Sequence, residues 1–117
     1  MRSTTYAPPP FVIEDSGERQ EYSGGMVRDV TEGKTNYLLI RDGPMFERWA
    51  DHMTKGAVKY AARNWLKAAG REELEHFLES LGRHVEKYLE HMRTGEPMLE
   101  DHAAAIFFNV DGAELVK

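Results

Sequence analysis

No cysteine occurs among the 117 residues. Disulfides and thiolate metal sites are therefore excluded, and a reducing, cytoplasmic setting is the expectation. Proline is scarce: three of the five stand together at residues 8–10, and the others are Pro44 and Pro97. No apolar run approaches the roughly 20 residues of a membrane span, and the first residues lack the basic start and apolar stretch of a signal peptide. Excess positive charge is missing too. The formal net charge of -5 argues against coating a nucleic acid polymer, which needs a basic face. A small anionic ligand stays open, because a pocket can be locally basic. What is present, 30% charged and 41% hydrophobic residues, fits one soluble globular domain with a modest core.

Residues 1–22 are polar and proline-interrupted, and are expected to form a flexible N-terminal arm ahead of a single helical domain over 23–117. The stretch SGGMVRDVTEGKTNYLLIRDGP follows. It reads as a loop with one short strand or extended piece near Tyr37 to Ile40. Its glycines either let backbone approach a ligand or serve ordinary turns. Pro44 can open a helix. From it Phe46, Trp49, Ala50, Met53, Ala57, Tyr60 and Ala61 recur at helical spacing, with Lys55, Lys59 and Arg63 four residues apart on another face. A second helix is expected from about Glu72 to Thr94, where Leu74, Phe77, Leu78, Leu81, Val85, Tyr88, Leu89 and Met92 hold the period and Gly95 and Pro97 end it. The last helix is expected from near Met98 to about Val116. The fold class is therefore all-α: a small bundle of three main helices. Because the last helix is apolar nearly all round at residues 103–108, it must be central, and a homo-oligomer is expected to complete the bundle.

Three constellations could carry chemistry. In EDHAAAIFFN, residues 100–109, a helical wheel puts Ile106 and Phe107 near the centre of the apolar stripe, with Ala103 and Val110 beside them. His102 and Asn109 share one edge with Ala105, and Asp101 lies further round. That strip either borders a ligand or metal pocket, or is a helix start with acids at the favourable dipole end and core hydrogen bonds. His84 lies at the border of the second helix's stripe. With His102 and a carboxylate such as Asp101 it could hold a divalent ion, and Glu79 could pair with Arg83 four residues on. In KYAARNW, residues 59–65, Lys59 and Arg63 on one helical face could hold phosphates, and Tyr60, Asn64 and Trp65 could meet a base. The plainer alternative is a solvated basic face over core aromatics. Arg28 and Lys34 are further phosphate candidates.

Taken in order, SGGMVRDVTEGKTNYLLI, KGAVKYAARNW, LGRHVEKYLEHMRTGE and EDHAAAIFFN resemble a phage-associated family, the N-terminal domain of dATP/dGTP diphosphohydrolases. The resemblance covers about residues 22–112. The matching positions are Gly25, Arg28, Asp29, Gly33 and Lys34, then Gly56, Lys59, Tyr60, Arg63, Asn64 and Trp65, then Arg83, His84, Asp101, His102 and Asn109. It implies hydrolysis of purine deoxynucleoside triphosphates to monophosphate and pyrophosphate, beside the all-α MazG-like pyrophosphatases, in remodelling a phage's nucleotide pool. On the enzyme reading, a divalent metal (Mg, Mn or Co) is expected. Asp101, His102 and Arg83 would be catalytic, and His84, Asp101, His102 and Glu79 would hold metal, with Glu100 as a further ligand. Lys34, Lys59, Tyr60, Arg63, Asn64, Trp65 and Asn109 would bind the nucleotide. The chain departs from the MazG-like pattern in its acids: Glu72, Glu73 and Glu75 lack the Glu-Glu-x-x-Glu spacing, and Glu100 is followed three residues later by Ala103.

Three readings follow. One is a metal-dependent triphosphate hydrolase. The second is a module that captures a nucleotide, such as a signalling nucleotide, without cleaving it. The third is a structural oligomer whose polar strip is core hydrogen bonding.

Overall fold

The structure, a computed structural model, describes residues 15–117. Residues 1–14 of the expected arm lie outside that range. The chain divides into two compact units between Asn36 and Tyr37.

In the first unit, β1 (Arg19–Glu21) pairs antiparallel with β2 (Val27–Asp29), in the register Arg19↔Asp29, Gln20↔Arg28 and Glu21↔Val27. The turn between them is closed by Tyr22 N–H to Met26 O and Gly25 N–H to Tyr22 O, with Gly25 at φ 89°. That conformation suits glycine, so this glycine serves the hairpin turn. Gly33, at φ 80°, sits in the turn closed by Lys34 N–H to Thr31 O. A lone two-stranded hairpin is marginal; here Arg19 ties its ends by bonding both Asp15 and Asp29 at 2.7 Å. The Arg19 hydrogen bond, then the Gly17 amide, lower the Asp15 carboxyl to about 2.

The second unit is helical. Its first residues, Tyr37–Ile40, form an exposed 3-10 turn where a strand or extended piece was expected. α1 (Met45–Tyr60) begins directly after Pro44. It stops because Ala61 adopts φ 109° and Arg63 is left-handed at φ 62°, and a 3-10 turn over Asn64–Lys67 follows. Lys59 and Arg63 therefore do not share one helical face, as the four-residue spacing suggested. α2 (Arg71–Thr94) ends on Gly95, whose left-handed backbone gives its N–H to His91 O at 2.8 Å.

α3 (His102–Val116) starts four residues later than expected from Met98. The reason is Asp101, which caps the helix by accepting the Ala104 N–H at 3.0 Å. α3 packs between α1 and α2. Its buried face differs from the wheel reading. Ala104, Ala105, Asn109 and Gly112 are buried, while Phe107 and Val110 are 40% and 44% exposed. Close approach decides this, because Phe77 of α2 lies so near Gly112 that a β-carbon there would stand 2.4 Å from its ring. Small residues on that face let the two helices meet. No helix among the described residues is long and apolar enough to cross a membrane.

A candidate nucleotide groove beside a histidine–carboxylate cluster

The change of direction after α1 shapes a groove of about 670 Å³ between the end of α1, the 3-10 turn and the start of α2. Five residues of one sequence motif line it: Lys59, Tyr60, Arg63, Asn64 and Trp65. They meet there because the helix breaks at Ala61, not because they share a helical face. The floor is aromatic. Phe108 of α3 receives Trp65 at 6.2 Å and Phe77 at 5.8 Å, both edge-on, with the His52 ring at 5.8 Å. The walls are cationic, for Lys55 and Lys67 join Lys59 and Arg63. The Lys59 ammonium lies 4.9 Å from the centre of the Tyr60 ring. Ala61 itself lines the groove in a backbone region that L-residues rarely occupy, which is strain of the kind found at ligand sites.

A second cluster lies where α2 meets the start of α3. His84 and His102 bring their Nδ1 atoms to 2.8 Å, and the Glu100 Oε2 stands 3.9 Å from His102 Nδ1. One ligand atom from each of the three falls within 4.8 Å of the others. Burial, then the neighbouring His102, hold the His84 imidazole below its ordinary value, so that ring is neutral at pH 7 and able to ligate. Two imidazole nitrogens about 3 Å apart match neighbouring positions around one ion with metal–nitrogen bonds of roughly 2 Å. The trio thus fits a divalent metal.

The two features adjoin. Lys59 is within electrostatic reach of Glu100, Lys55 of Asp101, and His52 of both His84 and Asp101. Part of the basic lining of the groove therefore lies within electrostatic reach of the segment that carries the trio.

Asp101 stands beside the trio without joining it. Its two oxygens face Arg48, at 2.8 Å from Nε and 2.6 Å from Nη2, and one also caps α3. The Arg48 bond, and after it the Ala104 amide, lower its carboxyl against the opposing effect of burial. Arg83 is exposed next to His84, and Glu79 is exposed and outside the cluster; no ion pair joins the two among the described residues. Asn109 is buried and gives its side-chain N–H to Ala105 O at 2.8 Å, away from the groove lining. Lys34 is exposed in the first unit. Sequence reasoning did not select His52 or His76, which line the groove. His52 is discoverable as one turn before Gly56, whereas His76 depends on how α2 is placed.

Residues 25–111 match the family model described as dATP/dGTP diphosphohydrolase, N-terminal. The chain belongs to this family. No curated protein and no solved structure matched it. Within the diphosphohydrolase N-terminal family, the matched span takes in the whole groove lining and all three members of the trio.

Proposed function

We propose that the helical unit binds a purine deoxynucleoside triphosphate in the groove and hydrolyses it to monophosphate and pyrophosphate with a divalent ion held by His84, Glu100 and His102. The observation that carries this is the meeting of Lys59, Tyr60, Arg63, Asn64 and Trp65 in one groove, with Lys59 within electrostatic reach of Glu100 of the trio. The aromatic floor takes the base, and Lys55, Lys59 and Arg63 take the phosphate charge. A divalent ion at the trio would polarise a phosphate oxygen and make bound water a better nucleophile. Two imidazoles and one carboxylate suit manganese or cobalt better than magnesium, which prefers oxygen ligands. Arg48 and Asp101 position the trio by fixing the start of α3 between Glu100 and His102.

Basic side chains gathered in a groove favour a small anion over a nucleic acid polymer. The lack of cysteine fits a cytoplasmic setting, and a phage's nucleotide pool fits the family resemblance. Assembly into a homo-oligomer belongs to the same reading, since Phe77 is the one large apolar side chain that the described residues bury. A nucleotide binder without catalysis is the second reading, favoured by the presence of a single carboxylate in the trio.

The test is incubation with each deoxy- and ribonucleoside triphosphate, with and without magnesium, manganese or cobalt, with products separated by chromatography. Metal-dependent release of monophosphate and pyrophosphate is expected. Calorimetric manganese binding should be lost in His102→Ala. Intact triphosphates that nevertheless bind would establish the second reading.

A further inference from the structure

Glu73 is the one carboxylate lining a groove whose other charged residues are three lysines and an arginine. A phosphate cannot rest against it, so it marks the end opposite the phosphates. Its position agrees. Glu73 stands one turn before Phe77 on the same face of α2, next to the aromatic floor that Phe77, Phe108 and Trp65 make. A second cavity, of about 320 Å³, meets the groove at Ala68, Glu73, His76 and Phe77, so the carboxylate stands at an open junction rather than against a wall. Eleven residues of α2 separate Glu73 from His84, roughly 16 Å of helical rise, which leaves room for base, sugar and phosphates between them. Among the described residues Glu73 makes no ion pair, while nearby Glu75 is taken by Arg71 at 3.1 Å.

We infer that Glu73 reads the Watson–Crick edge of the bound base and makes the site prefer guanine to adenine. This rests on the nucleotide-binding reading of the groove. Guanine presents two parallel donors, N1–H and the exocyclic N2–H, and an ionised carboxylate accepts both. Adenine offers one donor, on N6, beside a bare N1 acceptor that would face carboxylate oxygen. A site built to take two donors rejects the base that lacks one.

Calorimetry in metal-free buffer with dGTP, dITP and dATP tests this apart from catalysis. dITP keeps N1–H and lacks the amine, so affinity should fall in the order dGTP, dITP, dATP. Glu73→Gln, isosteric at an exposed position, should lose about tenfold or more in dGTP affinity, as loss of a charge-assisted pair does, while dATP affinity holds or rises, because the amide can donate to adenine N1 and accept from N6, which also reports that the groove is intact. Wild-type protein that binds none of the three overturns the nucleotide reading and this inference with it. Wild-type protein that binds the three alike, or Glu73→Gln with the wild-type ratio, overturns this inference alone.

Discussion

At the scale of single residues, Asp101 joins three tasks in one side chain. It caps α3, it holds Arg48 of α1 in a two-pronged ion pair, and through both it fixes the chain between Glu100 and His102. Removing it should cost about 1 kcal/mol for the cap, and about 1 kcal/mol more for a partly exposed ion pair. Asparagine caps as well as aspartate, so Asp101→Asn should lose only the second part, and urea unfolding at pH 7 should rank wild type above Asn above Ala. The pH dependence has a fixed sign. A carboxyl lowered in the folded state stabilises above its ordinary value of 3.8, and the gain is lost as pH falls through the lower folded value. The gap between wild type and Asp101→Asn should therefore close on acidification below about pH 4. Equal stabilities of Asn and Ala variants at neutral pH would show that the cap contributes little.

Between elements, the decisive contact is that of α2 with α3. Gly112 lies within a helix, where alanine in its place would ordinarily add about 1 kcal/mol of stability. Here the added β-carbon meets the Phe77 ring at 2.4 to 2.7 Å. Gly112→Ala should instead destabilise by about 1–3 kcal/mol, the cost of overpacking. Phe77→Leu should recover part of that loss in the double variant, and thermal unfolding of the four proteins would show whether the two sites are coupled.

The same contact explains what the sequence could and could not reveal. α2 was legible nearly to its ends, because its apolar period is regular and Gly95 and Pro97 follow it. α3 was legible as a helix but not in its facing, since a segment apolar nearly all round carries no directional signal; the approach of Phe77 to Gly112 sets the direction. His84 and His102 were readable as a pair because each borders an apolar stripe. For the carboxylate beside them the sequence offered Asp101 first, with Glu79 and Glu100 as further candidates; spacing could not rank them, because the cap and Arg48 that engage Asp101 are tertiary contacts. The motif at residues 59–65 was legible in its members and not in its geometry, because spacing continued a helix that the backbone at Ala61 breaks.

For the molecule as a whole, the balance of burial points outward. Among the described residues the buried apolar set is Phe77 and the three alanines at 103–105. Leu78, Leu89 and Met92 of α2 remain 49%, 46% and 63% exposed, and Phe107 and Val110 of α3 stand open as well. Single exposed apolar residues are ordinary, but a set this large on two packed helices is what a protein–protein contact uses. Burying one leucine fully is worth about 1.5–3 kcal/mol, and a charge placed there would have to leave water unpaired on association. Leu89→Glu should therefore shift a self-associating protein toward monomer by at least tenfold in dissociation constant, with helix content unchanged. Sedimentation of wild type and variant across a range of concentrations would read this directly. A wild type that stays monomeric at the highest concentrations would sink the assembly and leave the groove and the trio to be judged as properties of a single copy.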